Sequence, residues 1–349
     1  MAAGRRADHM AGRSLVLANT SMWERAVTSR LRYAHAFALQ AKRYWGAFRN
    51  PIQVSLAALG ITHLPTKVLM RRGGQLEVDS THAITLISFL AVRNDSKSQT
   101  GLERNARLLT ISPDRVSFVY DPPGQTPREV SLVGIRANGD PALFFDGDYD
   151  WLPVSGRTVV DVGASIGESS IFFALRGASR VLSFEPYPIA YQSAKTNVAA
   201  NGLSERVELR RAAVTGTIGR ITLSPAIAGG HVRATDAEEG TSTPTTTLSA
   251  IVQELDRDDA ILKMDCEGWE YDAILGSPGR ALRAFSHIML EYHYGSKTIA
   301  SYLRYCGFEV RAGPSVHYPL DADHNRCVGY IYAERRPPPR PPGSLVGQE

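Results

Sequence analysis

The segment Val159-Val160-Asp161-Val162-Gly163-Ala164-Ser165-Ile166-Gly167-Glu168 constrains the fold more than any other part of the chain. Its branched apolar residues read as a buried strand, Gly163 and Gly167 bracket a tight turn, and Glu168 opens a helical pattern. A second apolar run, Val181 to Phe184, ends in Glu185. Strand, turn, helix and strand in this order require parallel pairing. The carboxylate of the second strand then stands beside the glycine turn of the first.

The alternation continues. Strand Thr158 to Val162, helix Glu168 to Arg176, strand Val181 to Phe184, helix Ile189 to Ala200 and strand Val207 to Ala213 are followed by a Gly/Thr-rich loop, Ser224 to Thr247. Helix Leu248 to Leu255, strand Ala260 to Met264, helix Trp269 to Leu275, strand Ile288 to Glu291 and helix Lys297 to Cys306 complete the rhythm. Phe308 to Arg311 and Cys327 to Ala333 read as an antiparallel pair at the sheet edge. The spacing predicts an α/β fold, a Rossmann-like and mostly parallel sheet with helices on both faces.

A smaller α+β region precedes it. Residues 22 to 48 lack Gly and Pro until Gly46 and read as helix, ended by Asn50-Pro51. Lys67 to Val78, with Gly73-Gly74 at its centre, reads as a hairpin. Val116 to Phe145 is strand-like, broken by Asp121-Pro122-Pro123-Gly124 and Asn138-Gly139-Asp140. The expected division is a basic helical segment (1–50), a β-rich region (51–150), the α/β domain (151–334) and a Pro-rich tail (335–349).

At 349 residues, with 43% hydrophobic and 21% charged residues, the chain has enough apolar side chains for a large core. No apolar run reaches the roughly 18 residues needed to span a bilayer, so no transmembrane segment is expected. The formal charge of +4 concentrates near the N-terminus, where Arg5, Arg6, Arg13, Arg25, Arg30, Arg32, Lys42, Arg43 and Arg49 face Asp8 and Glu24. A solvated helical face, a patch for nucleic acid or anionic lipid, and a transit peptide are all open readings there. Cys266, Cys306 and Cys327 are too few and too irregular for a disulfide framework or a zinc site, and they suit a reducing, cytoplasmic setting as buried thiols.

The opening motif has its own chemistry. Glycine lets the backbone approach a ligand, and free amides at a helix start favour an anionic group. A carboxylate at Glu185 suits the vicinal hydroxyls of a ribose. The turn lacks the paired glycines of Gly-x-Gly-x-x-Gly that admit a pyrophosphate, and Asp161 would repel one. S-adenosylmethionine therefore fits better than NAD, with Asp161 near the methionine amino group.

From Trp151 to Tyr332 the sequence resembles the FkbM-type methyltransferases of the class I, S-adenosylmethionine-dependent superfamily. The resemblance rests on Val160 to Glu168, Phe184-Glu185-Pro186-Tyr187-Pro188, Asn197 with Asn201, and Thr245-Thr246-Thr247-Leu248. Its most specific piece is Leu262-Lys263-Met264-Asp265-Cys266-Glu267-Gly268-Trp269-Glu270. It implies a seven-stranded Rossmann-like sheet and methyl transfer to an oxygen. By the same resemblance Asp161, Gly163, Ala164, Ser165 and Gly167 hold the methionine end, Glu185 the ribose, and Pro186 and Tyr187 pack on the adenine. A backbone contact at Ala212 is the expectation for adenine recognition, since Arg210-Arg211-Ala212-Ala213-Val214 departs from the family pattern.

Asp265, Glu267, Glu291 and His293 are the candidate catalytic groups, all expected at the carboxyl edge of the sheet where a proton acceptor can meet an alcohol. For Asp265, Glu267 and Glu270 the competing reading is acid at a helix start. Lys263 suits a salt link as well as a substrate contact. No metal is expected, because two carboxylates and a histidine need a convergence that sequence does not display. The acceptor is read as a hydroxyl on a small molecule, sugar or glycan. An RNA (tRNA) methyltransferase using the basic N-terminus is the alternative, and a nucleoside-binding, non-catalytic domain is the alternative of another class. Asp121-Pro122-Pro123-Gly124 reads as a turn, because Gly124 stands where base methylation would need an aromatic.

Overall fold

The structure, a computed structural model, describes residues 42, 44–59, 61–71, 75–78, 84, 87–88, 106–112, 114–135, 139–223, 241–318 and 326–336. Most of the basic N-terminal segment, the Gly73-Gly74 turn, residues 224–240 and the tail from 337 onward lie outside the described residues.

In chain order the N-terminal part contains helix α1 (Pro51–Ala58), strands β1 (Thr66–Leu69), β2 (Gln75–Val78), β3 (Ala106–Ile111), β4 (Arg115–Tyr120) and β5 (Arg128–Val133), and helix α2 (Leu143–Asp146). Next come β6 (Thr158–Val162), α3 (Glu168–Leu175), β7 (Arg180–Phe184), α4 (Pro188–Ala200), β8 (Val207–Arg210), β9 (Ala213–Val214), β10 (Gly219–Leu223) and β11 (Thr241–Thr246). The chain continues through α5 (Leu248–Val252), β12 (Ala260–Met264), α6 (Glu270–Leu275), α7 (Gly279–Leu282), β13 (Phe285–Tyr292), α8 (Lys297–Tyr305), β14 (Phe308–Tyr318) and β15 (Arg326–Arg335).

The central sheet has seven strands in the order β14-β15-β13-β12-β6-β7-β8. All pairings are parallel except those of β15, which is antiparallel to both β13 and β14. The chain winds one way from β6 through β7 and β8 and the other way through β12 and β13. The reversal lies between β6 and β12, so a crevice opens above their carboxyl ends. All five β12 residues are buried, as expected of a strand with helices on both faces.

Three expectations are corrected here. The strand read as Val207 to Ala213 is two, because the chain leaves the sheet after Arg210 and β9 pairs with β11 in a side sheet, β10-β11-β9. Part of the loop read as Ser224 to Thr247 is strand β11, paired antiparallel with β10. The strand-like stretch from Val116 to Phe145 ends at Val133 and gives way to α2. The late antiparallel pair is present, with β15 inserted between β13 and β14.

All eight residues of α3 are buried. One side meets the central sheet. The other meets the sheet β3-β4-β5 and α2, where Phe118, Tyr120, Phe144 and Tyr149 close around Phe172 and Phe173 in one apolar cluster. Burying each such ring contributes about 1.5–3 kcal/mol. The N-terminal sheet is also tied to α4 by an asparagine pair one turn apart. Asn197 accepts from Val133 N (2.8 Å) and donates to Val133 O (2.9 Å), while Asn201 accepts from Ser131 N and donates to Ser131 O. The two amides satisfy the outer edge of β5 as a neighbouring strand would. A separate cluster of Tyr44, Phe48, Val54, Val68 and Val78 holds α1 against the β1–β2 hairpin. Among the described residues no helix is long and apolar enough to cross a membrane. Cys266, Cys306 and Cys327 form no disulfide among the described residues, Cys306 being buried and the other two half-buried.

Candidate active site

The turn after β6 is held from below. Asp161 is fully buried, and its Oδ2 accepts from Ser169 and Ser170, both at 2.7 Å. Lys263 faces it across the β6–β12 pairing, with Nζ 3.1 Å from Oδ1, and also donates to the Gly163 carbonyl at 2.8 Å. Neighbouring carboxylates, Asp161 first among them, outweigh the burial of Lys263 and raise its pKa. Asp161 thus fixes the turn from within and does not open onto the crevice.

The backbone amides of the turn are largely spoken for. Gly163 N and Ala164 N donate to the Phe184 carbonyl, and Ser165 N donates to Glu185 Oε2 at 2.9 Å. The end of β7 thus occupies the amides at these three positions, which precede the helix start. Gly163 sits at φ 77°, and a Cβ there would lie 1.7 Å from the Asp265 carbonyl oxygen. Gly167, at φ 88°, packs on Ala194. Ser165 adopts φ 48°, a left-handed conformation that costs a non-glycine residue roughly 1–2 kcal/mol.

Glu185 ends β7 with both oxygens oriented. Oε1 accepts from Tyr187 N (2.8 Å) and Oε2 from Ser165 N. Burial pushes its pKa up to about 7 against the pull of those amides and of Lys263. The Tyr187 hydroxyl beside it is buried without a hydrogen-bond partner, and burial raises its pKa. Ala212 lies close by, but its amide donates to the Arg210 carbonyl.

The second cluster forms where β12 and β13 end. His293 follows β13 and is buried; its Nε2 lies 3.4 Å from Glu267 Oε2 and 4.0 Å from Asp265 Oδ1. Its Nδ1 faces the fully buried Glu270 at 3.3 Å. Glu270 Oε1 accepts from Cys266 N, closing the turn that carries Asp265 and Glu267. Glu267 is in the left-handed region at φ 58°. Burial, then the adjacent Asp265, pushes Glu291 up to about 9. Burial favours a neutral His293, but Glu270, Asp265 and Glu267 outweigh it and push the ring up to about 9. Asp265, Glu267 and His293 each offer a ligand atom, and these atoms lie within 4.8 Å of one another. The convergence absent from the sequence reading is therefore present.

Both clusters face one cavity of about 340 Å³. Of the residues nominated from sequence, Gly163, Ser165, Glu185, Pro186, Tyr187, Ala212, Asp265, Glu267 and Glu291 line it, whereas Asp161, Ala164, Gly167 and His293 stand behind the lining. Ile221 and Leu223 of β10 form the wall beside Tyr187. Lys263 makes the salt link and also lines the cavity.

Sequence reasoning missed the opposite wall. Glu168, Asp140, Asp146, Asp148, Tyr149 and Tyr330 also line the cavity. Glu168 was in plain view within the motif, but only the fold reveals that its Oε1 accepts from Asp140 N at 2.8 Å. Burial pushes Glu168 up to about 8 and raises Tyr149 well above an ordinary phenol. The other wall residues belong to no motif, so nothing local marks them. Asp140, Asp146, Asp148, Glu168, Glu185, Asp265, Glu267 and Glu291 face Lys263, the one lysine or arginine among the described lining residues.

Residues 161–310 match the family described as Methyltransferase FkbM domain. A stretch of 60 residues is 37% identical to ribosomal protein L11 methyltransferase of Serratia proteamaculans, covering 17% of this chain and 20% of that relative. The chain thus spans about a fifth of the length of that relative. A ribosomal protein L11 methylase from Lactobacillus delbrueckii subsp. bulgaricus is structurally similar at 16% identity and TM-score 0.32, over 54% of this chain and 74% of that one. A precorrin-6y C5,15-methyltransferase from Geobacter metallireducens is similar at 15% identity and TM-score 0.30, over 52% and 82%.

Proposed function

We propose, from the match of residues 161–310 to the FkbM methyltransferase domain, that the protein transfers a methyl group from S-adenosylmethionine to a hydroxyl of a small molecule, sugar or glycan. The observation that carries the reading is the setting of Glu185. Amides of Ser165 and Tyr187 orient its carboxylate at the end of β7, beside the turn after β6, so that its remaining lone pairs suit the two hydroxyls of a ribose. The unpartnered Tyr187 hydroxyl and the apolar Ile221 and Leu223 suit the rest of a nucleoside. The donor set therefore fits the cofactor.

S-adenosylmethionine, when bound, supplies a methyl carbon activated by its sulfonium. The protein's own part is to hold the acceptor in line, exclude water and receive a proton. Asp265 takes up the hydroxyl proton in this reading, with Glu291 beside it, Glu267 on the acceptor and His293 beneath them. Asp161, Ala164 and Gly167 act by shaping the turn, and Ala212 and Pro186 pack on the base. The catalytic unit is 151–334, and 51–150 supplies the far wall of the site. Burial pushes Glu168 and Glu291 toward the neutral acid, but the described lining of the cavity still sets a single lysine against the remaining acids, which weighs against a phosphodiester acceptor, since like charges in a low-dielectric cleft repel strongly. It favours a neutral, hydroxyl-rich acceptor.

Calorimetry with S-adenosylmethionine tests the donor. Wild type is expected to bind it, and Glu185→Ala to weaken binding by about 100-fold or more, as two charge-assisted hydrogen bonds are lost. Tight NAD binding with no affinity for S-adenosylmethionine would overturn the reading. Mass spectrometry of extracts incubated with methyl-labelled donor then identifies the acceptor.

A further inference from the structure

Asp265, Glu267 and His293 do more than share a neighbourhood. Their ligand atoms converge from two different strand ends, with His293 Nε2 3.4 Å from one carboxylate and 4.0 Å from the other. An ion with bonds of about 2.1 Å holds adjacent ligand atoms about 3 Å apart, and the three, now within 4.8 Å of one another, would draw inward to form a coordinating set.

Two observations separate this from an ordinary acidic patch. His293 has 3% of its surface exposed, its Nδ1 has no aligned hydrogen-bond partner, and its ring is aimed at the two carboxylates. Behind it stands Glu270, fully buried, with Oε1 3.3 Å from Nδ1 and Oε2 unpartnered. A carboxylate behind the far nitrogen of a histidine is the usual support of a metal-binding imidazole, because it fixes the ring and strengthens its donor atom. On the open side, the Asp265 and Glu267 side chains are 33% and 26% exposed toward the cavity. Coordination positions on that side stay available to water or to an acceptor.

We propose that Asp265, Glu267 and His293 bind a divalent first-row transition-metal ion, oriented by Glu270. One imidazole and two carboxylates suit Mn2+, Fe2+, Co2+ or Zn2+ better than Mg2+ or Ca2+, which prefer oxygen-only sets. The ion's open positions face the cavity, where it would hold an acceptor hydroxyl and make that hydroxyl more acidic. This catalytic use rests on the methyltransferase reading, whereas binding of the ion does not.

The test is a titration of the chelator-stripped full chain with Mn2+ alone, followed by the electron paramagnetic resonance signal of the free aqua ion. Wild type is expected to quench a single equivalent. His293→Ala and Asp265→Asn are each expected to weaken binding by about 10-fold or more, and the positioning variant Glu270→Gln by about 10–100-fold. An unquenched signal with wild type, or wild-type affinity in His293→Ala and Asp265→Asn, overturns the site. Should either variant fail to fold by circular dichroism, Glu267→Gln decides alone: unchanged affinity overturns the proposal, and a loss supports it. Calorimetry with S-adenosylmethionine on the same sample keeps the two readings apart. Donor binding without Mn2+ binding removes the metal and leaves the methyltransferase. Mn2+ binding without donor binding supports the metal and removes the donor.

Discussion

Lys263 and Asp161 meet in register across β12 and β6, 3.1 Å apart and almost wholly buried, and the lysine also holds the Gly163 carbonyl. One ion pair thus sets the height of the turn on which the cavity floor rests. Ser169 and Ser170 satisfy the other carboxylate oxygen.

Lys263→Met leaves the Asp161 charge buried without a counter-ion and is expected to destabilise the protein by about 3–5 kcal/mol. Adding Asp161→Asn removes the stranded charge, so the double variant is expected to recover much of that loss. Urea denaturation of the four proteins measures the coupling. Independent, additive losses would show that the pair does not act as a unit.

Gly163→Ala drives a methyl group into the Asp265 carbonyl, 1.7 Å from where the Cβ would sit, in a backbone that already has φ 77°. Because the obstacle is backbone, relief requires moving the loop that carries Asp265 and Glu267. The variant is expected to lose more than about 3 kcal/mol of stability. Gly156→Ala is the control: it has φ 72° but nothing within 4 Å, and only the left-handed cost of roughly 1–2 kcal/mol applies. Equal melting temperatures for the two variants would contradict the collision.

Glu168 is the carboxyl whose burial should be visible in a pH profile. Its folded-state pKa is about 8, against an unfolded value of 4.5. Below 4.5 both states carry the proton and the group has no effect. Between 4.5 and 8 the folded state binds one more proton than the unfolded state, so stability falls as pH rises. Glu168→Gln removes that dependence while keeping an oxygen for Asp140 N. Its stability relative to wild type is expected to climb from pH 4.5 to pH 8 and then level off, by about 5 kcal/mol at most. Thermal melts across that range check it, and a difference independent of pH would refute the burial argument.

Much of the donor half was legible in advance, for a local reason. The β6 turn, Glu185 and the Asp265-to-Glu270 segment are contiguous pieces whose chemistry follows from strand period and turn geometry, and the structure brings most of them to one cavity. Where the local reading misled, a partner distant in sequence had intervened. The amides of Gly163 and Ala164 are taken by Phe184, and Asp161 is turned inward by Lys263, about a hundred residues away in the chain. Asn197 and Asn201 were visible as a pair, yet their use in capping the edge of β5 depends on a strand more than sixty positions earlier.

The sequence by itself determined the mostly parallel sheet and the carboxylates at its carboxyl edge, because these depend on side-chain period and residue type within short segments. Only the tertiary structure decided which groups meet. The approach of His293 to Asp265 and Glu267, the support of its ring by Glu270, and the far wall of Asp140, Asp148 and Tyr149 arise when separate strand ends and an N-terminal layer pack around α3. Distance, burial and protonation belong to that packing, since each depends on atoms that local sequence does not bring together.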